Sequence, residues 1–245
     1  MSDSQFIDGA IERSAEQPED RAELRRMVAE ARDGESTGAE TGPSDGSILN
    51  FALNLEYLEA EFYLRGATGQ GLPDDMVGGT GTPGQVSGGR QVEFRSPLVR
   101  NIAREIAMDE QAHVAFLRAA LGDAAVARPR ISLDNSFTAA ATAAGLIEPG
   151  QTFDPYADDR SFLFAAFLFE DVGVTAFKGA APFISNKTYL DAAAGLLATE
   201  AYHAGIVRAT LFSEGLADDS VFDAVRKISA VRNAVSGPAD DDQDL

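Results

Sequence analysis

The sequence predicts an all-α fold, a four-helix bundle built from two copies of one helical hairpin, joined by a long crossover and followed by a short extra C-terminal helix. Three observations carry this. Apolar residues recur at helical spacing in four long stretches of the 245-residue chain. The second and fourth stretches repeat one another, as do the first and third. The connection between the second and third stretches is long enough to run back along a bundle, which is one of the two usual ways of linking four helices.

Residues 1–45 form a polar, acidic extension with a short helix expected around Glu19–Ala31. The bundle is expected over residues 46–216, and residues 217–245 supply the last helix and an acidic tail. The first bundle helix should run from about Ser47 to Arg65. The second has a clear start, because Ser96 is a good N-cap and Pro97 fits the first helical position, where no N–H is needed; Gly122 ends it. The third should begin near Asp159 and stop before Pro182. The fourth begins near Ser185 or Asn186 and ends at Gly215, and a fifth, shorter helix covers Asp219–Val235. Between the first two lies a Gly-rich loop, "GATGQGLPDDMVGGTGTPGQVSGGR", of a length that is uncommon unless functional or disordered.

The chain has only two histidines, His113 and His203, and each follows a glutamate by three residues. A shift of 90 residues carries Ile106, Glu110, His113, Val114, Leu117 and Leu121 onto Leu196, Glu200, His203, Ala204, Val207 and Leu211. A shift of 114 carries Leu49, Ala52, Leu53, Glu56, Ala60 and Tyr63 onto Leu163, Ala166, Phe167, Glu170, Val174 and Phe177. Steps of three, four and seven put each set on one helix face. Glu56, Glu110, Glu170 and Glu200 therefore sit inside the stripes that must pack into a core, and no Lys or Arg lies in those stripes. Four unpaired buried carboxylates would each cost several kcal/mol. Two divalent cations balance them: four Glu supply −4, two neutral His supply nothing, and two ions supply +4. One Glu from each of two helices, with Glu-x-x-His from each of the other two, is the ligand set of di-iron and di-manganese carboxylate bundles. Glu110 and Glu200 would bridge, Glu56 and Glu170 would be terminal, and oxygen-rich ligation with one imidazole per ion suits Fe, or alternatively Mn, better than structural zinc.

Nearby polar residues invite other readings. Glu59 lies about 60° from the stripe and is expected at the surface; Glu61 should be solvated. Asp109 and Asp171, each beside a ligand candidate, are expected as surface charges, with imidazole orientation as the alternative. Tyr63, two turns from Glu56 on the same face, is the candidate catalytic residue, as a hydrogen-bond donor to a ligand or as an electron donor; core packing, as for its counterpart Phe177, is the other reading.

Composition removes several classes. There is no cysteine, so thiol catalysis, iron–sulfur centres and Cys-bound zinc are excluded. A net charge of −19, with only three lysines, argues against nonspecific nucleic-acid binding. The most apolar run, Ser161–Ile184, carries Glu170, Asp171 and Lys178, so a buried helix fits better than a membrane span. Arg25-Arg26 is followed by "MVAEARDGES", too charged for a twin-arginine export signal, so a cytoplasmic location is expected.

The segments "ILNFALNLEYLEAEFY", "IAREIAMDEQAHVAFLRAALG", "FLFEDVGVTAFKGAAPFI" and "AAAGLLATEAYHAGIVRATL" resemble the ferritin-like superfamily, and within it the desiccation-related, ferritin-like-domain proteins of bacteria and plants. The Gly-rich "GGR" and "FDPYADD" segments fit too, and the likeness covers roughly Ser47–Leu216. Glu56 followed seven residues later by Tyr63 also matches the bacterioferritin pattern. The resemblance implies a ferritin-like bundle with a di-metal site, two Fe ions or alternatively Mn, that reacts with O2 or H2O2. The subgroup's name implies a stress setting. The expectation is thus a ferroxidase- or peroxidase-like protein acting on O2 or H2O2, with a metal-stabilised or metal-free structural stress protein as the alternative. A homodimer is left open. A storage cage is disfavoured, because the Gly-rich insertion and the crossover interrupt the smooth sides that cage packing uses.

Overall fold

Four long helices form where the apolar periodicity places them. The computed structural model describes residues 43–236 and 243–245; the helix expected around Glu19–Ala31 lies outside the described residues. The helices are α1 (Asp45–Thr68), α2 (Pro97–Leu121), a short α3 (Asn135–Ala143) in the crossover, α4 (Asp159–Ala180), α5 (Lys187–Gly215) and α6 (Ser220–Ser236). Side-chain caps set the starts of the four long ones. Ser44 accepts from the Ser47 N–H at 3.2 Å, Ser96 from Val99 at 3.4 Å, Asp158 from Ser161 at 2.8 Å and Asn186 from Thr188 at 2.9 Å. Each such cap stabilises its helix by about 1 kcal/mol. Gly69, at φ 81°, ends α1 in the left-handed conformation that glycine adopts most readily. None of the described helices is long and apolar enough to cross a membrane.

The duplication seen in the sequence is also present in the contacts. α1 packs chiefly on α2, and α4 on α5. Asp45, in the first turn of α1, accepts from the backbone N–H groups of Ser185 and Asn186, both at 2.8 Å, at the start of α5. Its counterpart 114 residues on, Asp159 of α4, accepts from Arg95 at 2.9 Å and Ser96 at 3.0 Å, at the start of α2. The two hairpins thus lock together through the same pair of contacts, used twice. Between them Leu53, Tyr57, Ile106, Leu117, Leu163, Phe167 and Leu211 are fully buried; each large side chain so buried stabilises the fold by about 1.5–3 kcal/mol.

The two long connections are more ordered than their length suggests. Each supplies a two-residue strand, β1 (Val86–Ser87) and β2 (Ile131–Ser132), and these pair in parallel, Val86 with Ile131 and Ser87 with Ser132. The loops are pinned to α1: Asn50 accepts from Val126 N–H at 2.9 Å and donates to Ala124 O at 3.0 Å, and the Tyr57 hydroxyl donates to Val126 O at 3.1 Å. Phe62 of α1 stacks on Phe162 of α4 at 4.7 Å and meets Phe137 of α3 and Tyr156 of the crossover at 5.5 Å. The sequence reading missed α3, whose apolar residues are few and whose burial depends on that aromatic cluster.

Three expected surface acids are buried, two of them, Glu61 and Asp171, through ion pairs with arginines. Glu61 is fully enclosed because the loops fold over α1; it accepts from Arg65 Nε at 2.8 Å and is ion-paired with Arg128 of the crossover. Gly71 makes this possible, since a Cβ there would sit 2.2 Å from Glu61 Oε2. Asp171 is also buried. It accepts from Arg208 Nε at 3.0 Å and Nη2 at 2.6 Å, and from Arg232 Nη1 at 2.6 Å, so it ties α4 to α5 and α6 rather than serving an imidazole. Arg128→Ala should leave Glu61 with one partner in a closed pocket. The expected cost is about 3 kcal/mol, read as a lower midpoint in urea unfolding with metal content unchanged.

Candidate metal centre

α1, α2, α4 and α5 bring all six predicted side chains to one layer. Glu56, Glu110, Glu170, Glu200 and His203 have no exposed surface, and His113 has 7%. His113 Nδ1 lies 3.2 Å from Glu56 Oε2, 3.3 Å from Glu110 Oε2 and 3.3 Å from Glu200 Oε1. His203 Nδ1 lies 3.0 Å from Glu110 Oε1 and 3.5 Å from Glu170 Oε2. The two imidazole rings are 6.1 Å apart, centroid to centroid. The geometry resolves into two overlapping groups, Glu56–Glu110–His113–Glu200 and Glu110–Glu170–Glu200–His203, whose donor atoms lie within 4.8 Å of one another in each group. Glu110 and Glu200 belong to both.

The surrounding residues are less symmetric. Glu59, expected at the surface, is buried: 96% of it is out of solvent, and its Oε2 has no partner. The signal for this lay in the repeat, where the counterpart of Glu59 is Gly173. A Cβ at Gly173 would come 2.4 Å from Glu200 Oε2 and 3.2 Å from Glu59 Oε1. A missing side chain on α4 is what admits the fifth carboxylate. Asp109 is partly exposed, as expected, yet it accepts from His203 Nε2 at 3.1 Å. Tyr63 is fully buried, and its hydroxyl donates to Glu170 Oε1, across the bundle rather than to Glu56 on its own helix.

Burial and close neighbouring charges shift the titration of the cluster residues. Burial, and then the charge of Glu110, raises Glu56 well above the usual carboxylate range; burial and the charge of Glu200 do the same to Glu59. Burial pushes Glu170 up to about 8 and raises Glu200 as well. Glu110 alone moves down, to about 2: burial opposes its charge, but the His113 and His203 imidazoles beside it outweigh that. Burial likewise opposes the imidazolium forms, yet their carboxylate neighbours raise His113 strongly and His203 to about 11. Burial and the neighbouring Glu170 raise Tyr63, so its phenol keeps the proton it donates. Raised carboxyl and imidazole values thus offset part of the charge that the cluster would otherwise carry. Even so, Glu56 Oε1, Glu59 Oε2, both oxygens of Glu110 and Glu200, Glu170 Oε2 and His203 Nδ1 remain buried without a hydrogen-bond partner. Such atoms are rare in folded proteins and call for an ion or water. Four carboxylates and two imidazoles converging in this way fit a pair of divalent cations.

Residues 44–213 match the family described as the ferritin-like domain. The chain belongs to that family. It is 34% identical over 197 residues to the desiccation-related protein PCC13-62 of Craterostigma plantagineum, covering 78% of this chain and 62% of that one. It is 32% identical over 173 residues to the ferritin-like catalase Nec2 of Nesocodon mauritianus, covering 69% and 54%. The chain spans about three-fifths and about half of the lengths of these relatives. No solved structure matches it significantly. The ferritin-like, desiccation-related likeness and the all-α bundle expected from the sequence are both borne out.

Proposed function

We propose that this ferritin-like chain holds a pair of iron or manganese ions and acts on hydrogen peroxide or dioxygen. The observation that carries the reading is the pair of overlapping buried groups that share Glu110 and Glu200 and leave their donor atoms unpartnered. In the first position Glu56 and His113 would be terminal ligands; in the second, Glu170 and His203. When bound, such a pair supplies two electrons at one place, enough to reduce peroxide to water or to take them back as a second peroxide becomes O2 (2 H2O2 → 2 H2O + O2). The name of the Nesocodon relative, a catalase, favours peroxide.

The chain's own residues then have defined tasks. Asp109 accepts from His203 Nε2, so that the neutral imidazole would offer its lone pair at Nδ1, the nitrogen facing Glu110 and Glu170. Tyr63 fixes Glu170 by donating to Oε1 and leaves Oε2 free. Leu53, Ala60, Ala103, Ile106 and Phe167 are buried apolar residues on the same helices and exclude bulk water. Glu59 is placed to hold a proton beside Glu200.

The test is metal analysis followed by turnover. Protein purified without oxygen should carry about two Fe or Mn per chain. It should evolve O2 from H2O2, or consume O2 when Fe2+ is added. A chain that takes up neither metal, or that takes up both ions yet turns over neither oxidant, would instead be a structural stress protein. The desiccation-related name of the first relative is what keeps that second reading in view.

A further inference from the structure

We propose that the two metal positions are unequal, and that the position at His203 and Glu170 fills first and holds its ion more tightly than the position at His113 and Glu56. This rests on the di-metal reading above and goes beyond it, because a duplicated chain with a duplicated ligand set would otherwise give two equivalent positions.

The repeat is kept at all six donor residues and broken in the residues that support them. Asp109 precedes Glu110 on α2, and the residue that precedes Glu200 on α5 is Thr199. Asp109 reaches across to His203 Nε2 at 3.1 Å. Thr199 does not return the favour to His113: its hydroxyl donates to Gly195 O of its own helix at 3.3 Å. Tyr63 on α1 donates to Glu170, while its counterpart on α4 is Phe177, which has nothing to donate to Glu56.

Both extra contacts fall on the same position. A carboxylate can only accept, so Asp109 keeps a hydrogen on Nε2, and the neutral imidazole that would bind a metal has its lone pair on Nδ1. Tyr63 occupies Oε1 of Glu170 and leaves Oε2. The two atoms left without a partner, His203 Nδ1 and Glu170 Oε2, are 3.5 Å apart and already oriented toward a common point. At the other position, among the described residues, His113 has only the cluster carboxylates as partners, all through Nδ1, and none of them fixes its tautomer through Nε2. Supporting contacts of this kind change metal affinity by about 10–100-fold, so the two positions should differ by at least about tenfold.

The experiment titrates the metal-free full chain with Mn2+ under argon and follows free and bound Mn2+ by EPR. Wild type should take up its first ion as an isolated centre and show a spin-coupled signal only with the second. Asp109→Asn should weaken the first step about 10–100-fold and leave the second nearly unchanged. His203→Ala should abolish the tight step, and His113→Ala the weak one. Thr199→Asp offers His113 the missing acceptor and should tighten the weak step, a gain that general loss of stability cannot mimic. Two indistinguishable steps in wild type would overturn the inequality while leaving the di-metal reading intact. So would a tight ion that survives His203→Ala and is lost in His113→Ala. Absence of any Mn2+ or Fe2+ uptake would overturn both.

Discussion

Glu110→Ala should empty both metal positions at once. Glu110 belongs to both donor groups, with Oε2 facing His113 and Oε1 facing His203. It is also the one cluster carboxylate held firmly charged, near a pKa of about 2, because both imidazoles favour its anion. Removing it therefore takes away a shared ligand and, in the metal-free chain, the anion that two buried imidazolium groups rely on. Leaving a buried charge without its partner costs about 3–5 kcal/mol, which for a bundle of this size is roughly a 10 °C fall in melting temperature. The expected result is fewer than one bound ion per chain, peroxide and dioxygen turnover at background, and a lower melting point even after chelation. Glu56→Ala provides the contrast, since Glu56 belongs to one group only; it should keep about one ion while losing turnover. Elemental analysis and an oxygen electrode read all of this. Two ions retained in Glu110→Ala would remove the shared ligand from the scheme and the proposed function with it.

The six converging residues were legible in the sequence because their positions are set by helix geometry alone. Steps of three, four and seven fix a face whatever the neighbours do, and two histidines in an equivalent context mark the same face twice. Glu59 was not legible in the same way. It lies three residues from Glu56, at the edge of the stripe, and what turns an edge position inward is the absence of a side chain at Gly173, on a different helix. Comparing the two repeats position by position, rather than at matching apolar residues only, would have paired Glu59 with Gly173. Glu61 points away from the stripe and is buried only because the crossover delivers Arg128 to it. Asp171 depends likewise on Arg232 of α6, outside the bundle proper. Its counterpart in the repeat is Tyr57, and the partners correspond too: Arg208 meets Asp171 where Arg118 meets the Tyr57 hydroxyl. The duplication conserves a contact there while changing its chemistry. Local periodicity reports which residues share a face; long-range loops decide which other faces are covered.

Chelated protein should lose stability as pH rises, and the gap between chelated and metal-loaded protein should widen over the same range. The folded, metal-free chain holds Glu170 at about 8 against an ordinary value of 4.5, and His203 at about 11 against 6.5. Groups raised on folding contribute stability that is fully present below their unfolded values and is lost as pH climbs through the folded ones. For Glu170 that loss runs from about pH 4.5 to 8, and for His203 it begins above 6.5 and continues to about 11. Glu110 acts in the opposite sense, but its contribution is complete above 4.5 and is lost only as pH falls toward 2, so it adds no slope near neutrality. Ordinary surface carboxylates are already ionised by pH 5.5 and add little more. Metal ions bound at the proposed positions would displace these same protons, so each proton released on binding would make metal affinity climb about tenfold per pH unit. Melting curves of EDTA-treated protein between pH 5.5 and 8.5 should therefore fall, while those of metal-saturated protein hold level or rise. Glu170→Gln removes one titrating group while keeping an amide oxygen to accept from Tyr63, and should flatten the falling curve. A chelated protein that melts higher at pH 8.5 than at 5.5 would mean that the buried cluster is not proton-loaded, and that something other than protons balances its carboxylates.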